Sequence, residues 1–145
     1  MNKIGFESAA SQNYINILQS TISRMASNSA SNKTWCITLV SAILVLTVDK
    51  KSSNYIWIAM FPILVFLLLD AYYLGLERRF RVLYSDFIQK LHSDTAITSD
   101  VYIMNPGAGL KITFPATIRA LLSFSIWPFY LMTGAMVIVF RFFFC

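Results

Sequence analysis

Few side chains in this 145-residue chain have a type and spacing suited to chemistry. Asp70 is the clearest, a carboxylate following the run Phe66-Leu67-Leu68-Leu69 and preceding Ala71-Tyr72-Tyr73. A carboxylate among apolar neighbours is costly unless paired or hydrated. Asp70 therefore reads either as an ion-path or gating residue or as the structural partner of Arg24, Lys33 or a nearby arginine. Arg78-Arg79-Phe80-Arg81 could bind lipid headgroups, at roughly 1 kcal/mol per basic residue beside an anionic leaflet, or the phosphates of a small signal molecule. Glu77 and Arg81, four residues apart, read as a helix-surface ion pair.

Catalysis finds little else to stand on. His92, the single histidine, closes a helical pattern beside Ser93 and Asp94 and reads as a surface residue. Gly107-Ala108-Gly109 follows a proline and opens no strand–helix unit, so a phosphate loop is poorly supported. Cys36 and Cys145 have no metal-ligand spacing and suggest no disulfide framework. The expectation is a protein that is not an enzyme, with no cofactor and no metal.

The elements that must carry these residues are set by composition. Hydrophobic residues make up 57% and charged residues 13%, against about 25% charged in an average soluble domain. A soluble chain of this size has too little interior to hide so much apolar surface. Three apolar runs emerge, giving expected spans at 34–48, 54–76 and 119–141. The first has fifteen uncharged residues, Thr34 to Val48. It covers only ~22 Å of a ~30 Å hydrocarbon core, so Lys33 and Lys50 are expected to snorkel. Pro128 falls inside the third run, where it is expected to kink the helix.

Outside the spans two amphipathic patterns recur. In 8–32, Tyr14, Ile17 or Leu18, Ile22 and Met25 share one helical face, with Ser8 or Ser11 as N-cap. Ser27-Asn28-Ser29-Ala30-Ser31-Asn32 reads as a turn or frayed junction. In 77–92, a continuation of the second span with Gly75 as a bend, Phe80, Tyr84, Phe87 and Leu91 form an apolar stripe. These are the expected oligomer contacts, although the two amphipathic helices could equally stack against each other, since an uncovered apolar stripe calls for a partner. Segment 93–117 reads as a loop, with a short strand at Val101-Tyr102-Ile103-Met104, a turn at Asn105-Pro106-Gly107 and Pro115 in the first turn of the next helix.

Lys3, Arg24 and Lys33 precede the first run, and Arg78, Arg79, Arg81, Lys90, Lys111 and Arg119 lie between the second and third. Only Lys50, Lys51 and Arg141 fall on the other side. The asymmetry puts the N-terminus and the long loop in the cytoplasm and the C-terminus outside. The first 33 residues contain no signal-peptide core, so no cleavage is expected. The net charge of +5 suits topology and anionic lipid. Nucleic-acid binding would want a broader basic surface interleaved with aromatics.

Several motifs carry a resemblance. They are Ser23-Arg24-Met25-Ala26-x-Asn28-Ser29, Lys33-x-Trp35, Pro62, Asp70-x-Tyr72-Tyr73-Leu74-x-x-Glu77-Arg78-x-Phe80-Arg81-x-Leu83-Tyr84, and Pro128-Phe129-Tyr130. Together they resemble small bacterial membrane proteins encoded near anti-phage defence genes, with a layout similar to SLATT-type effectors. The third span departs from that layout. The resemblance implies an oligomeric effector of the bacterial inner membrane that permeabilises the bilayer when a cytoplasmic defence sensor or a nucleotide messenger triggers it. The alternative is a non-conducting anchor that recruits a cytoplasmic partner. The expected architecture is an all-α membrane protein with three transmembrane helices plus cytoplasmic amphipathic helices.

Overall fold

Helix α1 runs from Ala9 to Lys50 without interruption. No glycine or proline occurs in those 42 residues, so nothing forces a break. The serine and asparagine run 27–32, expected as a junction, stays helical. These residues lose only about 0.5 kcal/mol each against alanine in a helix, and the burial of one continuous stripe outweighs that. Ser11, Tyr14, Leu18, Thr21, Ser29, Cys36, Val40, Leu44 and Thr47 are all buried along it, at the three- and four-residue steps of one helical face. Ser8 sits at the N-cap position, its carbonyl accepting the Gln12 N–H at 3.1 Å.

The computed structural model describes the backbone of residues 3–50, 53–106 and 110–144, and within these the side chains other than those of 48–50, 53–55, 110–114 and 144. Gly107, Gly109 and Cys145 lie outside the described residues. A 3-10 helix, Ser53–Ala59, leads into α2, Met60–His92. Pro62 falls in the first turn of α2, where its missing N–H breaks no bond. Helix α2 returns antiparallel along α1, so Tyr14 meets Phe87 at 4.8 Å between ring centroids near one end and Ser29 meets Asp70 midway. Two stretches, Ala9–Thr47 and Ile56–His92, are long and apolar enough to cross a membrane.

Gly75 bends nothing, since α2 is continuous through it. It faces the backbone of Ala116 and Thr117 instead, where an added methyl would already be in contact at 3.5 Å. These two residues belong to α3, Leu110–Leu121, which packs on α2. The helix therefore begins inside the segment expected as loop, and Pro115 lies in its interior rather than its first turn. The expected span 119–141 is likewise divided. Helix α3 ends at Leu121, residues 122–126 turn, and α4 takes over from Trp127 to Phe144. The kink expected at Pro128 is replaced by this full break, which leaves Pro128 in the first turn of α4.

Packing separates into two cores. Cys36, Val40, Leu44, Ile56, Ile63, Ala71, Tyr130 and Val137 join α1, α2 and α4 around the apolar segments. Tyr14, Leu18, Phe80, Phe87, Leu91, Ala96 and Val101 form a second cluster at the other end of the hairpin. The chain after α2 folds back over this second cluster. Asp94 takes a left-handed conformation, φ 55°, which closes the helix while the Thr95 N–H reaches the Lys90 carbonyl at 3.0 Å. Tyr102 is left-handed as well, φ 67°. That excludes the short strand expected at 101–104 and aims the Ile103 carbonyl at the Tyr14 hydroxyl, which donates to it at 2.6 Å. Among the described residues there is no strand; the Lys3–Ile97 pairing is an isolated bridge.

Candidate functional site

Among the described residues, the one place where three helices bring polar groups together inside an apolar setting is Asp70, whose side chain is fully buried. It projects from α2 toward α1, where Ser29 and Lys33 sit one turn apart and so share a face. Ser29 Oγ donates to Asp70 Oδ1. Lys33 Nζ lies 2.5 Å from Asp70 Oδ2 and donates to Ser29 Oγ at 3.4 Å. From α4, the Tyr130 hydroxyl donates to the Phe66 carbonyl at 3.0 Å. That carbonyl is one turn before Asp70, and the phenol is close enough to feel the Asp70 charge. The cluster lies where the apolar segment of α2 ends, with the arginine-bearing part of the helix about two to three turns beyond.

Electrostatics explain why this arrangement holds. A carboxylate taken out of water loses several kcal/mol of hydration, which only a close countercharge and further hydrogen bonds offset. Lys33 and Ser29 supply both. Lys33 thus turns inward rather than snorkelling, with 23% of its side-chain surface still accessible. Of the two roles open to Asp70 from sequence, the geometry supplies the partner that the structural one requires. The Ser29/Lys33 spacing also resembles a serine–lysine catalytic dyad. Here, however, Nζ donates to Oγ, whereas a general base would accept from it.

The three arginines point to separate partners within the chain. Arg78 Nη2 donates to Ser123 Oγ at 2.6 Å, Arg79 Nη2 donates to the Pro106 carbonyl, and Arg81 Nε donates to Glu77 Oε1 at 2.8 Å. Glu77 is buried, so the Glu77–Arg81 pair is a surface contact only at its arginine end. Beside it, Arg81, Tyr84, Gln19, Ile22, Ser23 and Ala26 line a cleft of about 590 Å³ between α1 and α2.

Of the residues expected as oligomer contacts, Phe80, Phe87 and Leu91 are buried, and Tyr84 packs against the same cluster. The covering surface is α1 of the same chain, through Tyr14 and Leu18. His92 is exposed and meets Phe6 edge-on at 5.0 Å.

At the far end of the hairpin the polar groups form a compact tie. Lys90 Nζ donates to Asp100 Oδ1 at 2.6 Å and the Ile97 N–H donates to Oδ2 at 3.1 Å. The hydrogen bond from Lys90 holds the Asp100 carboxyl below its ordinary range, helped by Ile97 and the Lys90 charge and opposed by burial. Burial, and then the Asp100 charge, raise the Tyr14 phenol above its usual value.

Sequence reasoning did not find Ser29 or Tyr130 as Asp70 neighbours. The signal for Ser29 was present, since it continues the 11-14-18-21 stripe and stands four residues before Lys33. Tyr130 had no such signal, because its approach depends on the break at 122–126. No family model, no curated protein and no solved structure matches the chain.

Proposed function

We propose that this chain is a three-span protein of the bacterial inner membrane with a cytoplasmic N-terminus. Its role is that of an oligomeric effector that disturbs the bilayer, in anti-phage defence, once a partner or nucleotide signal acts on its cytoplasmic hairpin. The observation that carries this reading is the buried Lys33–Asp70 pair. It ties α1 to α2 where the apolar segments meet the cytoplasmic part, and so couples any movement of the cytoplasmic helices to the spans. In the closed arrangement Asp70 is sealed by its partner and offers no path to ions. Parting α1 from α2 would strand the charge in apolar surroundings and draw in water or cations. The stripe Phe80, Tyr84, Phe87 and Leu91 is satisfied by α1, so an oligomer would meet through the spans. The apolar groove lined by Leu39, Ile43, Ile58, Phe61, Pro62 and Phe66, about 380 Å³, is such a surface.

A second reading, a non-conducting anchor for a cytoplasmic partner, is favoured by the cleft at Gln19, Ser23, Arg81 and Tyr84. Depolarisation separates the two. Cells expressing wild type and Asp70→Asn are compared for membrane abundance and for membrane potential by a voltage-sensitive dye. The effector reading expects equal abundance and a larger leak from Asp70→Asn, which keeps the side chain's shape but removes the charge that Lys33 holds. If neither protein depolarises cells, even beside its genomic neighbours with phage added, the effector reading fails and the anchor stands.

A further inference from the structure

Among the described residues, the turn between α3 and α4 presents the most exposed large apolar side chains of the cytoplasmic half. Leu122 is 80% accessible and Phe124 81%. Trp127 packs edge-on against Phe124 at 6.3 Å, and Ile118, one turn before Leu122 on α3, faces outward as well. Water is a poor neighbour for such a ridge, at about 25 cal/mol per Å² of apolar surface. The ridge sits where Gly75 and Arg78 dock α3 against α2, just beyond the apolar stretch of that helix. It is also continuous with the exposed Leu131 and Met132 of α4.

Charge borders the ridge on one side only. Arg119 is exposed on α3, and Arg78 is fixed at the turn by its 2.6 Å bond to Ser123 Oγ. A guanidinium has five donors, so this bond leaves others for a phosphate. The sequence has no Asp or Glu after Asp100, and Glu77 is turned to Arg81. Part of the turn's backbone is satisfied within it, with Ser123 N–H to the Ala120 carbonyl at 2.9 Å and Ile126 N–H to the Ser123 carbonyl at 3.0 Å. It can therefore leave water without stranding these polar groups.

We infer that α3 and the turn after it form an in-plane binding surface for anionic phospholipid of the cytoplasmic leaflet. Arg78 and Arg119 hold headgroup phosphate, and Ile118, Leu122, Phe124 and Trp127 rest on the upper acyl chains. Helix α3 then lies along the interface, and only α4 enters the hydrocarbon. This rests on the membrane placement proposed above.

The test uses full-length protein in vesicles, in three single-tryptophan forms that keep Trp35, Trp57 or Trp127 with the others changed to Phe. Quenching by brominated phosphatidylglycerol is compared with brominated phosphatidylcholine. The expected result is quenching of Trp127 with an anionic preference that falls about fivefold for each arginine changed to Gln at 78 and 119. It is restored by Lys at both, with Trp35 and Trp57 quenching unchanged as the check on folding. Trp127 left unquenched while Trp35 and Trp57 are quenched overturns this inference alone and points to a protein, including a second copy, over the ridge. Equal quenching by the two lipids removes the phosphate contact. Loss of the preference on adding millimolar phosphate at constant ionic strength shows a free-anion site. No quenching of any of the three sinks the membrane placement itself.

Discussion

Removing Lys33 while leaving Asp70 in place should be among the most damaging single changes to this protein. In Lys33→Met the apolar stem is kept and only the ammonium 2.5 Å from Asp70 Oδ2 is lost. The carboxylate has no surface exposed to water, so it cannot recover hydration without opening the α1–α2 contact. Breaking a buried pair from one side costs about 3–5 kcal/mol, and the Ser29 bond that survives offsets only part. The reverse change, Asp70→Leu, strands a lysine that is already 23% accessible and can swing toward the headgroups. Its cost should be nearer 1–3 kcal/mol.

The double variant removes both charges and should lie within about 1 kcal/mol of wild type, or above it. The cycle then gives a coupling of at least about 3 kcal/mol. Equilibrium unfolding in mixed micelles, followed by far-ultraviolet circular dichroism, measures all four proteins. A Lys33→Met loss below about 1 kcal/mol would mean that water or another cation reaches Asp70. A double variant worse than either single would mean that the pair is not the dominant contact between these residues. Either result defeats the account of a dry tie.

Two further outcomes are expected from the end of the hairpin where Tyr14 meets Phe87. Phe87 is 3% exposed and stacks edge-on with Tyr14, so Phe87→Ala should cost about 3–5 kcal/mol in the same unfolding assay; a loss under about 1 kcal/mol would show that this core is loosely packed. Asp100 has its carboxyl depressed by Lys90, so its contribution is fully present above the unfolded carboxylate value, near 4, and is lost as pH falls through the lower folded value. Protection of the Ile97 amide, its exchange rate relative to the intrinsic rate at each pH, should fall on acidification in that window, and Asp100→Asn should abolish the dependence; an unchanged acid response in Asp100→Asn would assign it to another group.

Much of the local order follows from residue type alone. Absence of glycine and proline between Ala9 and Lys50 permits one unbroken helix, although the serines and asparagines of 27–32 read locally as a junction. The three- and four-residue steps of Tyr14 and Leu18, and of Phe80, Phe87 and Leu91, mark the buried faces, and the isolated carboxylate at 70 announces that it needs a partner. Such features depend on near neighbours in the chain, which is why they are legible in it.

Which partner each face takes was decided only by tertiary structure. The stripe on α2 could meet a second copy or its own α1, and equal apolar periodicity on both sides leaves the sequence silent; with α1 ending at Lys50 and the next helix beginning at Ser53, the chain's own helix reaches it first. Lys33 could snorkel or turn inward, and the position of Asp70 across the hairpin settles it. The run 120–140 carries no charge, so hydropathy joins what the chain divides. Seating α3 against Gly75 and tethering Ser123 to Arg78 halts the first helix at Leu121. Tyr130 can then enter beside Asp70, because a long-range contact rather than any local propensity fixes where α4 begins.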